Sequence, residues 1–276
     1  MGLYERLTGI GMGESPRWHD GRLWFSDWKA GELIALGLDG THEVIATVDS
    51  FPFSIDWLPD GRLLVVDASH ARLLRQEGGE LVTHAELPFA HDCNEIVVDG
   101  RGTIYLNNVG FDFPEGEPAP GFVVRVAPDG EVSREDGDAM FPNGMVVTPD
   151  NATLIVAESY GRCLTAFDIG ADGSLSGKRV WAELGDGTPD GLTLDAEGAV
   201  WYADVPNQRC VRVAEGGDVL ATVDVGKGCF ACMLGGPEGR TLFIVAADWP
   251  GVMEPDSRTG VILTVDAPAP RAGWPG

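Results

Sequence analysis

The sequence lacks any apolar run approaching ~18 residues, and it lacks a cationic start followed by an apolar stretch. We therefore expect neither a membrane-spanning helix nor a secretory signal. Positive charge is also scarce, since 19 Lys and Arg face 43 Asp and Glu for a net charge of −24. That charge would repel DNA, RNA and acidic membranes, and no basic patch offsets it. We expect no nucleic-acid or membrane partner, and a monomer or weak homo-oligomer.

Cysteine is sparse, with five residues at irregular spacing, which favours a reduced, cytoplasmic protein. Cys229 and Cys232 form a C-x-x-C, but they lie in the strand-like run "GCFACML" without the helix start that a redox motif needs. The sequence contains no G-x-S-x-G elbow and no phosphate-binding P-loop, and its five His are scattered. These absences disfavour a serine hydrolase and a P-loop nucleotide enzyme.

What the sequence has is a repeated phrase: an apolar-alternating run, a turn, and a strongly apolar run. Two copies are "NGMVVTPDNATLIVAE" and "DGLTLDAEGAVWYAD", and four others resemble them. Each turn needs a residue that tolerates positive φ, which Gly and Asn supply. The aligned turn residues are Gly21, Gly61, Gly102, Asn151, Gly198 and Gly239.

Two further strand candidates follow each phrase, such as "ELIALGL" and "HEVIATV" in the first repeat. Four strands in each 40- to 50-residue unit are typical of a β-propeller blade. The sequence therefore predicts an all-β, six-bladed propeller spanning 1–276 as one domain. The last repeat is one strand short, so we expect "LYERLTG" at the N-terminus to supply it and close the ring. A β-sandwich would not produce a sixfold phrase. Residues 266–276 are expected to form a loosely ordered tail.

Equivalent positions on the inner strands of a propeller meet near its axis. Eight residues before the aligned turn residue stand Asn94, Asn143 and Asp190, and Glu14 lies beside the corresponding position in the first repeat. Two carboxylates this close repel each other unless a cation lies between them or they share a proton. Carboxylate and amide oxygens without His or Cys suit a hard ion, so we expect one divalent metal, with Ca²⁺ first and Mg²⁺, Mn²⁺ and Zn²⁺ as alternatives. The competing interpretation is that Asn-Gly and Asp-Gly are only turn dipeptides.

Two long loops are predicted on the same face, at 108–122 and 248–260. Long ordered loops above a pocket often select substrate. Phe111, Phe113, Trp249 and Met253 are candidates for apolar walls, and simple packing on the rim is the alternative.

The same stretches resemble the family of regucalcin (senescence marker protein), the gluconolactonases and luciferin-regenerating enzyme. "GESPRW" resembles the family's opening motif, "FPNGMVVTPD" and "TPDGLTLDAEGAVWYAD" resemble two later ones, and "CMLGGPEGRTLFI" resembles the last-blade signature. The resemblance implies metal ligands at Glu14, Asn143 and Asp190, with Asp190 also the catalytic acid/base. It spans about residues 10 to 266, and the family's fold is a six-bladed propeller.

The resemblance also implies substrate-binding residues. "DCNEIVVDGRG" resembles the family's substrate segment, in which Asn94 matches a substrate-binding Asn. Regucalcin has Arg two positions earlier, where this chain has Asp92, so no particular sugar lactone is implied. Asp112 is a further candidate for a substrate contact.

These features together predict a metal-dependent hydrolase, a gluconolactonase-like lactonase that opens a sugar or other small lactone. The metal would act as a Lewis acid on the carbonyl, and Asp190 would take a proton from the attacking water. Two alternatives stay open: hydrolysis of organophosphate triesters at the same ion, and a propeller that binds a metal without catalysis.

Overall fold

The computed structural model describes residues 2–89, 93–249 and 251–273. Six sheets of four antiparallel strands make up almost all of it, and the prediction of a six-bladed β-propeller is confirmed. Within the described ranges the only helices are two single 3₁₀ turns, Ala68–His70 and Gly251–Met253. Neither of these turns, nor any other described segment, forms a helix long and apolar enough to cross a membrane.

The first three blades each run outward from the axis in chain order. Blade 1 contains β2 (Gly13–His19), β3 (Arg22–Asp27), β4 (Glu32–Leu36) and β5 (His42–Thr47). Blade 2 contains β6 (Phe53–Trp57), β7 (Leu63–Asp67), β8 (Arg72–Glu77) and β9 (Glu80–Glu86). Blade 3 contains β10 (Ile96–Val98), β11 (Ile104–Asn108), β12 (Phe122–Val126) and β13 (Val132–Arg134).

The last three blades repeat this arrangement, and the final one closes the ring. Blade 4 contains β14 (Pro142–Val147), β15 (Thr153–Glu158), β16 (Cys163–Ile169) and β17 (Leu175–Glu183). Blade 5 contains β18 (Pro189–Leu194), β19 (Val200–Asp204), β20 (Arg209–Val213) and β21 (Val219–Asp224). Blade 6 contains β22 (Gly228–Gly235), β23 (Thr241–Ala247), β24 (Gly260–Asp266) and the N-terminal strand β1 (Tyr4–Ile10).

The N-terminal strand β1 pairs antiparallel with β24, from Tyr4 opposite Thr264 to Ile10 opposite Gly260. The predicted closure by "LYERLTG" is therefore correct. It joins the two ends of the chain in one sheet and covers the edge that blade 6 would otherwise expose.

The hairpin between the two innermost strands of each blade depends on its turn residue. All six aligned positions have positive φ, which Gly and Asn adopt at low cost. Their φ values lie between 57° at Asn151 and 90° at Gly102. The repeat phase read from the sequence is thus the true blade phase.

The core is a ring of six apolar clusters, each lying between two neighbouring blades. Leu33 of blade 1 packs with Phe53 and Val65 of blade 2, for example, and Ala231 and Phe243 of blade 6 pack with blade 1. Apolar burial of this kind stabilises a domain by roughly 25 cal/mol per Å². Every blade therefore depends on both neighbours for its stability.

The tail was expected to be loose from residue 266, and for residues 267–272 this is wrong. The amides of Ala267 and Arg271 donate to the carbonyls of Arg240 and Gly239, and Ala272 donates to Leu194. Ala269 is fully buried. The tail thus ties blade 6 to blade 5.

The five cysteines are all buried. Cys229 and Cys232 lie within β22, as the run "GCFACML" predicted. Burial raises the pKa of the Cys210 thiol well above its usual value. These cysteines act as small core side chains.

Candidate functional site

Three of the predicted ligands stand where the inner strand of a blade departs from regular pairing. The register shifts by one extra residue between Pro142 and Met145 in β14 and between Pro189 and Leu192 in β18. The same irregularity follows Glu14 in β2. Such bulges re-aim side chains and are common beside functional sites. Asn143 and Asp190 therefore lie within an irregular stretch near the start of their strands, and Glu14 immediately precedes one.

The Asn-Gly and Asp-Gly pairs lie inside strands, so their interpretation as hairpin turns is wrong. The glycines are needed because the inner strands converge. A Cβ on Gly144 would come within 2.5 Å of the Asp190 carbonyl oxygen, and one on Gly191 within 2.5 Å of the Ala231 Cβ. The close approach of the inner strands near the axis explains Gly144 and Gly191. It does not explain the Asn143 and Asp190 side chains, for which a role in binding or catalysis is the remaining interpretation.

Glu14 is buried, with an exposed fraction of 7%, and its carboxylate accepts a long hydrogen bond of 3.3 Å from the Ser15 amide. Little therefore compensates for the burial of its charge. Burial raises the pKa of Glu14, and repulsion from Asp190 and Glu95 raises it further. The carboxyl of Asp190 behaves alike: burial and the charge of Glu95 raise its pKa, while hydrogen bonds from Gly191 and Asn143 oppose the rise. Electrostatic repulsion therefore links the carboxyls of Glu14, Asp190 and Glu95.

Glu95 is the third carboxylate, and the sequence analysis did not single it out. Its Oε1 accepts hydrogen bonds from Ser15 Oγ at 2.9 Å, Arg17 Nη2 at 3.0 Å and the Ile96 amide at 3.0 Å. Ser15 reaches it from a left-handed backbone, with φ of 48°. The only available signal was its position next to Asn94, one residue beyond the counted phase.

Arg17 is the second residue that the sequence analysis missed. Burial lowers the pKa of its guanidinium, but the charges of Glu95 and Asp56 outweigh burial and hold the pKa above its usual value. Arg17 also donates to the carbonyls of Pro16 and Ile96. The guanidinium of Arg17 therefore interacts with groups of the channel wall and neutralises the charge of Glu95.

Asn94 belongs to the same polar network through a buried amide. Asn107 Oδ1 accepts from the backbone amides of Asn94 and Glu95, both at 2.9 Å, and Asn107 Nδ2 donates to Asn94 Oδ1. The same Nδ2 reaches the carbonyls of Pro142 at 2.8 Å and Asn143 at 3.1 Å. The structure therefore brings all four counted positions into one connected cluster.

The other two predicted substrate residues lie differently. Asp112 is exposed in the loop that follows β11, beside the buried Phe111. Asp92 lies outside the described residues. The substrate roles of Asn94, Asp92 and Asp112 stay predictions.

The predicted metal ligands Glu14, Asn143 and Asp190 offer carboxylate and amide oxygens. Within the described ranges, no three His, Cys, Asp or Glu side chains are arranged together as a ready ion site. An ion here would therefore need the amide oxygen of Asn143 and water beside the carboxylates of Glu14 and Asp190. Hard oxygen donors of this kind suit Ca²⁺ or Mg²⁺, and a cation would relieve the repulsion that raises both carboxyl pKa values. The residues fit a hard divalent ion.

Aromatic side chains surround the mouth on two sides. Phe111, Phe113, Phe141 and Tyr160 contact one another, with Phe141 and Tyr160 ring centroids 4.7 Å apart. Across the ring, Phe230 takes the bulge position of β22 and meets Trp249 at 6.0 Å. Met253 is exposed in the same loop as Trp249. Phe111 is buried and Phe113 is exposed, so the loop both packs on the rim and presents an apolar surface.

A family model described as the SMP-30/Gluconolactonase/LRE-like region matches residues 12–248. The chain belongs to this family. The curated relative pentonolactonase XacC of Haloferax volcanii is 26% identical over 272 residues, covering 92% of this chain and 88% of the relative.

Two solved structures agree with this membership in fold. A luciferin-regenerating enzyme has a TM-score of 0.82 at 18% identity, over 98% of this chain and 96% of that one. A structure described as a calcium-binding protein, regucalcin, from Agrobacterium tumefaciens has a TM-score of 0.78 at 21% identity, over 97% and 95% of the two chains. The resemblance stated from the sequence motifs is thereby confirmed.

Proposed function

We propose that the chain is a divalent-metal-dependent lactonase that opens a sugar or other small lactone. The observation that carries this proposal is that two carboxylates, the buried Glu14 and the partly buried Asp190, repel each other at the channel mouth with little compensation. The name of the relative, pentonolactonase, supports the lactone as substrate class. The description of the Agrobacterium regucalcin as calcium-binding supports Ca²⁺ as the ion.

Glu14, Asn143 and Asp190 would hold the ion, with water completing its coordination. Bound there, a divalent ion supplies Lewis-acid polarisation of the lactone carbonyl and charge for the developing oxyanion. Asn94 binds and orients the substrate in this proposal. Its amide position is set by hydrogen bonds with Asn107, which is fully buried in β11.

Asp190 is proposed as the general base. Water attacks the carbonyl carbon and gives one proton to the Asp190 carboxylate. The C–O bond of the ring then breaks, and the same proton passes to the ring oxygen that leaves as a hydroxyl. The product is a hydroxy acid, and Asp190 returns to its ionised state.

The partner in this proposal is the small lactone itself, and the net charge of −24 argues against a polyanionic partner. The small number of cysteines, five at irregular spacing in 276 residues, supports the proposed cytoplasmic location. A monomeric or weakly associating chain stays a prediction.

The direct test is a lactone panel assayed by acid release, with the protein either treated with chelator or supplied with Ca²⁺, Mg²⁺, Mn²⁺ or Zn²⁺. We expect turnover that chelator abolishes and one of these ions restores. A phosphotriester in the same panel tests the competing activity. No turnover of any lactone with any of the four ions would refute the proposal.

A further inference from the structure

Exposed apolar side chains are concentrated on the face of the propeller that carries the candidate site. Inner strands begin at this face, and the loops between second and third strands and between blades lie there too. These loops carry six exposed large apolar residues: Phe51, Phe113, Met140, Tyr160, Trp249 and Met253. The exposed apolar residues elsewhere in the described ranges lie on or beside the outermost strands. Exposed apolar surface concentrated around a site marks a binding surface.

Four of the aromatic side chains near this mouth form one continuous surface, called here the aromatic wall: Phe111, Phe113, Phe141 and Tyr160. Phe113 contacts Phe141 with ring centroids 5.1 Å apart, and Phe111 contacts both Phe113 and Phe141. Phe113 is 43% exposed and Tyr160 is 48% exposed, while the other two are buried beneath them. The wall is therefore anchored from below and open to a ligand from above.

The wall is joined to the ligand cluster through the backbone. Phe141 has φ of 55°, a strained value for a bulky residue, and it stands two residues before Asn143. Its carbonyl accepts from the Ser159 amide at 3.0 Å, which places Tyr160 beside it. Ser159 Oγ in turn donates to the Pro189 carbonyl at 2.7 Å, directly before Asp190. The segments that present Asn143 and Asp190 thus also hold the wall.

Charge on this side of the mouth disfavours an anionic substituent. Arg17, a mostly covered cation of the channel wall, is held by Glu95 and two carbonyl groups. The carboxyls of Glu14, Asp190 and Glu95 already repel one another, and the chain carries a net charge of −24. A negative group on the substrate would meet repulsion, whereas an apolar group would gain contact with aromatic rings.

Resting on the lactonase function proposed above, we propose that the substrate is an uncharged lactone with an alkyl or aryl substituent that packs on the aromatic wall. The ring carbonyl then lies over Glu14, Asn143 and Asp190, and the substituent extends toward Phe113 and Tyr160. Pockets of this kind combine an apolar lining with a few polar groups that fix orientation.

The experiment measures kcat/KM for γ-lactones from γ-butyrolactone to γ-nonalactone, with glucono-1,5-lactone as the polyhydroxylated comparison. Each methylene that becomes fully buried raises kcat/KM about fourfold. We therefore expect a rise along the series and a lower value for glucono-1,5-lactone than for γ-nonalactone.

Phe113→Ala removes an exposed part of the wall without cutting into the core. We expect it to lower kcat/KM for γ-nonalactone roughly tenfold, and to lower kcat/KM for γ-butyrolactone far less. Phe51→Ala is the matched control, because Phe51 is 47% exposed on the same face but contacts Trp28 between blades 1 and 2. It should leave the chain-length dependence intact.

The outcomes separate the two proposals. A flat series, a preference for glucono-1,5-lactone, or equal losses in the Phe113 and Phe51 variants would overturn the apolar-substituent proposal while leaving the lactonase intact. No turnover of any lactone would overturn both.

Discussion

Two sets of acids occupy the same blades, and they differ in how completely they are hydrogen-bonded. One set ends the second strand of a blade and consists of Asp27, Asp67, Glu158 and Asp204. Asp27 accepts from the amides of Gly11 and Met12, for example, and Asp204 accepts from Asn207 and Arg209. The other set, Glu14 and Asp190, begins an inner strand at the channel mouth.

Asp67 of the first set and the two mouth acids have pKa values shifted in opposite directions. Burial raises the pKa of Asp67, but hydrogen bonds from His70 and Arg72 outweigh it and leave the pKa below its usual value. For Glu14 and Asp190, burial and neighbouring carboxylates dominate and the pKa values rise. The fold supplies hydrogen bonds to the strand-end acids, whereas the mouth acids are less completely compensated. This difference supports the proposal that Glu14 and Asp190 serve function.

The largest expected difference is between two variants in which one acid of each set is replaced by its amide, one losing activity and the other stability. Asp190→Asn should lower kcat/KM for a lactone by about 10²- to 10⁴-fold, because it removes the proposed base. Asp67→Asn should keep its turnover per folded molecule and lose about 1–3 kcal/mol of unfolding free energy. Lactone assays and urea denaturation of both variants check this, and an active Asp190→Asn enzyme would refute the role of Asp190.

Removing the channel cation should affect stability next most strongly. Arg17→Met leaves Glu95 buried without its counter-charge, which we expect to lower the unfolding free energy by about 3–5 kcal/mol. The double variant Arg17→Met with Glu95→Gln should recover part of that loss. Urea denaturation of the three variants measures the coupling, and a loss below about 0.5 kcal/mol in Arg17→Met would contradict the assignment.

Asp56 is a further buried acid, which belongs to neither set and interacts electrostatically with Arg17. Burial raises the pKa of Asp56 to about 6, although Arg17 opposes the rise. Because the folded state then binds more protons than the unfolded state, Asp56 contributes stability below about pH 4 that is lost as the pH rises to about 6. The loss amounts to about 3 kcal/mol for a shift of about two pKa units.

The variant Asp56→Asn should therefore flatten the fall in unfolding free energy between about pH 4 and 6. The exposed Asp39 provides the control, since hydrogen bonds from Thr41 lower its pKa and the Asp39→Asn variant should not flatten that fall. An unchanged pH slope in Asp56→Asn would show that Asp56 is not the group responsible.

The smallest effect concerns calcium as a stabiliser. Wild type should gain about 2.7 kcal/mol at a Ca²⁺ concentration a hundred times Kd, and Glu14→Gln should lose that gain. Without calcium, Glu14→Gln should instead be the more stable of the two proteins at pH 7.5, because a raised folded-state pKa means that ionised Glu14 destabilises the fold there. Thermal unfolding of both proteins, in chelator and in calcium, measures the two differences. A Glu14→Gln protein that gains as much from calcium as wild type would contradict the ligand role of Glu14.

Much of the fold could be predicted because each blade is a local unit with its own turn signal. Glycine or asparagine at the hairpin marked the phase, and the phase placed Asn143 and Asp190 on neighbouring inner strands. Counting back from the turn residue did not identify Phe230 as the residue at the bulge of β22, because a register shift cannot be seen in a count of residues.

Glu95 and Arg17 were missed for a different reason. Their pairing joins blade 3 to blade 1 across the channel, and it depends on the left-handed backbone at Ser15. Neither the strand period nor the repeat phase encodes a contact between side chains 78 residues apart. The tail was misjudged similarly, since its order comes from carbonyl groups of Gly239 and Leu194 that it meets only in the folded chain.

The most direct test of the mouth acids as an ion site is a calorimetric titration of calcium into chelator-treated wild type, Asp190→Asn and Asp67→Asn. We predict saturable binding of one ion per chain to wild type and to Asp67→Asn, and none to Asp190→Asn. Equal binding by wild type and Asp190→Asn would contradict the account.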